Sequence, residues 1–121
     1  MNRPFENTVA DTASKNGADN REDNDMYARI TKFRMKPECM DDATALVEEL
    51  LPEITALPGL LQFIDVCNED GNGYVVSITD SQESSDANMD HVRQIWARFS
   101  DYLEEMPTPE GYTVLFNERI G

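Results

Sequence analysis

From Tyr27 onward the chain switches repeatedly between two apolar spacings. Tyr27-Ala-Arg-Ile-Thr-Lys-Phe-Arg-Met35 places Tyr27, Thr31, Phe33 and Met35 on one side of a period-two pattern, which predicts a strand that Pro37 ends. Asp41 and Asp42 stand where acidic residues favour a helix start. Ala43, Leu46, Val47, Leu50, Ile54 and Leu57 then follow the three-to-four spacing of a helix with one apolar face. Pro52 falls inside that pattern and is expected to kink the helix or to begin a second short one. Pro58-Gly59 closes the segment. Leu60–Cys67 and Gly73–Thr79 read as strands, and Asn68-Glu-Asp-Gly-Asn-Gly73 between them carries hairpin turn residues. Ser81 or Ser84 can cap a second helix, whose apolar stripe is Met89, Val92, Trp96, Phe99 and Leu103. Met106-Pro-Thr-Pro109 reads as a turn and Tyr112–Asn117 as the last strand.

The order strand, helix, strand, strand, helix, strand is the split β-α-β repeat of ferredoxin-like domains. The predicted class is therefore α+β, with a four-stranded antiparallel sheet. That sheet has two apolar faces. Leu61 and Phe63 lie on one side of the second strand, and Leu60, Ile64 and Val66 on the other. Tyr74, Val76 and Ile78 of the third strand oppose Val75. Two amphipathic helices cover only one face, and a second copy of the chain is the simplest cover for the other. A homodimer joined sheet to sheet is the expectation.

Composition sharpens this picture. The 121 residues suffice for one domain. Residues 1–25 are polar, with Phe5 and Val9 their only large apolar side chains, and read as a disordered tail. Residues 26–121 form the folded domain. The tail has no continuous apolar core of a secretory signal, and no apolar run approaches a membrane span. A formal net charge of −14 argues against nucleic acid and against anionic membrane surfaces, because both need a basic footprint. Cys39 and Cys67 form no Cys-x-x-Cys pair and read as ordinary thiols of a cytoplasmic protein.

Few side chains suggest chemistry. His91 is the single histidine, the residue type that titrates nearest neutrality. It lies at the margin of the second helix's stripe. It reads either as a proton acceptor for a phenolic ligand or as a helix-flank residue. Trp96 reads as core, or as one wall of a pocket for a flat ligand. Tyr74 opens the third strand and could place its hydroxyl at a pocket mouth. Arg29, with Lys32, Arg34 and Lys36 on the same strand, reads as an anchor for an anionic ligand or as salt-bridging to acidic helices. Asp65 interrupts an apolar strand and reads as a rim residue or a paired charge. No metal is expected, since no second histidine exists and no carboxylate-histidine spacing suggests a facial triad. No phosphate loop, Gly-x-Ser-x-Gly elbow or Cys-His pair is present, and no cofactor is expected.

Three short stretches carry a resemblance: Phe33-Arg-Met-Lys-Pro37 before the first helix, Pro58-Gly59-Leu60 leading into the second strand, and Ser81-Gln-Glu83 opening the second helix. On these the region Tyr27–Asn117 resembles the dimeric α+β barrel superfamily, and within it the antibiotic-biosynthesis monooxygenase-like proteins. The resemblance implies two ferredoxin-like protomers with sheets face to face, each keeping a pocket between helices and sheet. It implies cofactor-independent oxygenation of a quinol-like aromatic, or a non-catalytic module binding a small ligand or a protein partner. It aligns Thr79 where many relatives carry tryptophan, and Asn88 where a histidine often stands, with His91 one turn later. By that alignment His91 and Asn88 are the catalytic candidates, and Thr79, Tyr74, Trp96 and Arg29 the ligand-binding ones.

Overall fold

The period-two alternation of the first strand is clear from Thr31 to Met35, while Ala28 is also buried near its start. In the computed structural model, which describes residues 25–121, β1 (Tyr27–Arg34) buries Thr31 and Phe33 and exposes Lys32 and Arg34 between them. A 3-10 turn, Pro37–Cys39, leads into α1 (Met40–Thr55). β2 (Leu60–Cys67) and β3 (Asn72–Thr79) form a hairpin. α2 (Gln82–Ala87), α3 (Met89–Ala97) and a 3-10 turn at Ser100–Tyr102 precede β4 (Pro109–Thr113). The strands form one antiparallel sheet in the order β2-β3-β1-β4. This is the ferredoxin-like arrangement, with both central strands drawn from the two halves of the repeat. The expectation for the tail lies, apart from Asp25, outside the described residues.

Two glycines make the connections possible. Gly71, in the β2–β3 turn, has φ 91°, and an added Cβ would stand 2.0 Å from the Met35 carbonyl oxygen. The Met35 amide donates to the Gly71 carbonyl at 2.7 Å, so this turn is tied to the end of β1. Gly59, between α1 and β2, has φ 79° and accepts from the Asp80 amide at 2.9 Å. That bond fixes the start of β2 beside the start of α2.

Four details differ from the sequence reading, each for a tertiary reason. α1 runs through Pro52 as one element, because the proline falls in its last turn, where a single ladder bond is lost. A register shift between Leu60 and Gln62 turns Leu60 onto the face of Phe63, so Leu60 opposes Thr79 while Gln62 opposes Ile78. The second helix is two pieces. The break is Asn88, whose side-chain amide leaves the helix to donate to the Pro58 carbonyl at 2.9 Å. β4 begins at Pro109 and ends at Thr113, not at Asn117, because its partner begins at Tyr27, which pairs with Thr113. Pro109 is tolerated there as the first residue of an edge strand.

The core lies between one face of the sheet and the helices. Phe33, Met35, Ala43, Leu50, Ile54, Ile95, Phe99 and Leu103 are its buried members. Trp96 packs between Phe33 and Phe99, with ring centroids 5.9 and 6.1 Å away. The far face of the sheet carries Ile64, Val66, Tyr74 and Tyr112, which are 41, 50, 46 and 47 % exposed. Past β4, Leu115 and Phe116 are 77 and 81 % exposed.

Candidate functional site

Alternation places every second residue of the central strands toward the helices. The shared register sets Arg29 opposite Ser77 and Thr31 opposite Val75, while β2 sets Phe63 opposite Ser77 and Asp65 opposite Val75. The helices return Leu57, Met89, Val92, Ile95 and Trp96 over the same surface. These groups enclose a partly open cavity of ≈ 90 Å³ between helices and sheet. Its wall is mostly apolar, with a few polar groups: Arg29, Thr31, Asp65, Ser77, Thr79, Ser85 and Asn88. Arg29, Met89, Trp96 and Pro109 also line an outer recess of ≈ 690 Å³, bounded by Asp86, Asp90, Arg93 and the Met106–Pro109 segment. Trp96 and Met89 thus stand between the cavity and this recess.

Of the residues named from sequence, Asn88, Thr79, Trp96 and Arg29 lie together on this wall. Each polar one is committed to the protein to a different degree. Thr79 donates to the Ser81 carbonyl at 2.8 Å, and its hydroxyl is taken. One Asn88 amide N–H is taken by the Pro58 carbonyl, and its second N–H and side-chain oxygen remain for a ligand. Arg29 donates to Ser85 Oγ at 2.7 Å, is ion-paired with Asp86 and lies over the Tyr27 ring at 5.3 Å. Its charge is neutralised in place, which favours the salt-bridging reading over a free anion anchor. The other two are elsewhere. Tyr74 alternates onto the far face of the sheet.

His91 points away from the cavity and pairs with Glu53 of α1 at 2.6 Å, while Arg98 reaches the other oxygen of the same carboxylate at 2.8 Å. The expectation of His91 as a base inside the pocket is not met in this conformation. The physical reason is its position beside α1: Glu53 is the nearer partner. Arg98 first, and then His91, holds the Glu53 carboxyl below its usual range through these hydrogen bonds. This exposed clasp joins α1 to α3 across the outside of the layer.

Three hydroxyls went unnoticed in the sequence. Thr31 and Ser77 line the cavity from the sheet and Ser85 from α2. Thr31 is 3 % exposed, and its hydroxyl makes no hydrogen bond among the described residues. The signal was available for Thr31, a polar residue sharing a face with Phe33 and Met35. Asp65 is the other surprise. It stays exposed along the edge of the sheet, yet its carboxyl reaches far enough into apolar surroundings that desolvation raises its pKa. It forms no ion pair among the described residues. Both cysteines are free thiols, with Cys67 Sγ 3.6 Å from Met40 Sδ. Among the described residues no cluster of His, Cys, Asp and Glu could hold a metal ion, and no helix is long and apolar enough to cross a membrane.

Comparison with solved structures shows the fold. The chain has the fold of the antibiotic-biosynthesis monooxygenase-like α+β proteins. A conserved protein from Methanosarcina mazei superposes with a TM-score of 0.67 at 16 % identity, covering 78 % of this chain and 97 % of that one. A proposed antibiotic biosynthesis monooxygenase from Caulobacter crescentus gives 0.65 at 14 % identity over 81 and 97 %. A protein with the same description from Chloroflexus aurantiacus gives 0.59 at 22 % identity over 79 and 99 %. No family model and no curated protein matches the sequence. These likenesses establish the fold. The particular activity has to be argued from the site.

Proposed function

We propose that the protein is a homodimer, joined through the far face of its sheet, that takes up a small, flat, mostly apolar molecule between helices and sheet. The observation that carries the ligand reading is the cavity of ≈ 90 Å³, mostly apolar, with hydroxyls, one amide, Arg29 and Asp65 able to orient a guest. A pocket that holds benzene measures roughly 150 Å³. A ring therefore enters only if Trp96 or Met89, the half-buried side chains between cavity and recess, gives way. The dimer reading rests on Ile64, Val66, Tyr74 and Tyr112, which lie on one uncovered sheet face beside Lys32, Arg34 and Glu110. A two-fold pairing of that face lets Glu110 of one protomer meet the basic residues of the other. The acidic surface and the two free thiols support a cytoplasmic setting.

The names of several structural neighbours favour a second reading, in which the bound molecule is a quinol that reacts with dioxygen. One oxygen atom would then enter the substrate and the other leave as water. The wall would contribute desolvation and hydrogen bonds to the substrate anion, with the second Asn88 N–H and the Thr31 hydroxyl as donors. Titration of the full chain with small arenes, followed through the indole resonance of its single tryptophan, tests the binding reading. Saturable shifts are expected; none with any arene would overturn it. Oxygen uptake with a panel of quinols separates the two readings, since a binding module consumes none.

A further inference from the structure

Taking the cavity as a ligand site, we infer that Asp65 is its specificity-determining residue, and that the site selects an aromatic ligand bearing a hydrogen-bond donor, O–H or N–H, over one bearing a carboxylate. Among the described residues two charged side chains line the cavity, Arg29 and Asp65. They are not equivalent. Arg29 is neutralised by Asp86, held by Ser85 and stacked over Tyr27. Asp65 has no cation facing it among the described residues. The cavity therefore carries one uncompensated negative charge, on the strand of Phe63 and opposite Val75.

An ionised carboxyl in such surroundings accepts hydrogen bonds and gives none. A ligand that fills the cavity strips water from the inner side of that carboxyl. A hydroxyl or amine on the ligand replaces the lost water, a methyl group leaves the carboxyl bare, and a second carboxylate adds repulsion. Burial already raises the Asp65 pKa, which is the sign of a group short of partners. Elsewhere on the wall the Asn88 side-chain oxygen is a further acceptor, one N–H of its amide being held by the Pro58 carbonyl. The Thr31 hydroxyl, buried two strands from Asp65, can donate to a ligand oxygen. The wall thus sets an unpaired carboxylate, an amide and several hydroxyls in an apolar shell, a fit for a phenol or an aromatic amine.

The test compares phenol, aniline, toluene and benzoate on the full chain, by calorimetry and by the Trp96 indole resonance, for wild type, Asp65→Asn and Asp65→Leu. Wild type is expected to prefer phenol or aniline over toluene by about tenfold, the size of one hydrogen bond to a charged group, and to refuse benzoate. Asp65→Asn should admit benzoate, and Asp65→Leu should erase the preference for phenol while leaving toluene binding within about twofold. Aniline favoured over phenol, or the reverse, names the donor. An unchanged phenol-to-toluene ratio in both variants would overturn the role of Asp65 while leaving the cavity reading intact. Absence of binding by every arene to the wild type would overturn the cavity reading and this inference with it. Melting curves of the variants establish that both are folded.

Discussion

The two faces of the sheet are built from the same alternating strands and end up in opposite condition. The helix side gathers Phe33, Phe63, Val75, Ile95 and Phe99 around a small cavity and admits few polar groups, most of them hydrogen-bonded. The far side leaves Ile64, Val66, Tyr74 and Tyr112 in water. Covering one face needs helices, and the chain supplies them. Covering the other needs a surface the described residues do not supply. The contrast separates a face closed by helices from one left open, so ligand binding and the proposed assembly can be perturbed separately.

The largest effect should come from the back. Val76→Arg places a charge at the centre of the exposed face, opposite Ile30 and Ile64. It is expected to weaken the dimer at least about a hundredfold, because an unpaired charge is stranded in an apolar interface that should bury on the order of 1,200–2,000 Å². Sedimentation at micromolar concentration would then show a monomer. A wild-type monomer in the same measurement would contradict the assembly outright.

Next is Trp96→Ala, which removes the contact between Phe33 and Phe99. The cost should fall near the lower end of roughly 3–5 kcal/mol, since Trp96 is only half-buried. Urea denaturation at fixed protein concentration checks this. Unchanged stability with lost arene binding would make Trp96 a gate alone.

The two carboxylates flanking the helical layer should respond to pH in opposite senses. Asp65 has its folded pKa raised, so it favours the folded state when protonated. That contribution fades as pH rises from the unfolded value through the folded one. Asp65→Asn should accordingly melt higher than wild type at neutral pH, with the gap closing in acid. Glu53 has its folded pKa lowered by Arg98 and then His91, so its contribution is present above the unfolded value and lost as pH falls through the folded one. Lying at the solvent-facing side of the helices, it should contribute little. His91→Gln is the smallest effect expected: arene affinity unchanged, and a barely lowered melting point as the clasp to Glu53 loosens. Lost binding in this variant would return His91 to the cavity.

The fold was legible because its signals are local. The period-two run in β1, the α1 stripe from Ala43 to Leu57 and the Ser81 cap each depend on residues close in sequence, and the Ser84 amide does donate to Ser81 Oγ at 3.0 Å. What could not be read depends on distant partners. β4 stops where β1 begins, Leu60 changes face through a bulge, and Asn88 breaks a helix to reach Pro58. The site was half legible for the same reason. Arg29, Thr79, Asn88 and Trp96 share the cavity through alternation, helical spacing and the alignment implied by the family resemblance. Whether His91 turns inward or toward Glu53, and whether Arg29 is free or tied to Asp86, are questions of side-chain competition that spacing cannot decide.

The space between helices and sheet is proposed as a ligand site entered past Trp96 and Met89. A crystal of the full chain soaked with phenol tests it most directly. The expected result is ring density among Phe33, Ile95 and Trp96, with the phenolic oxygen toward Asp65 and His91 still on Glu53. A closed, empty cavity in a phenol-saturated crystal, or a ring bound only elsewhere, would contradict it.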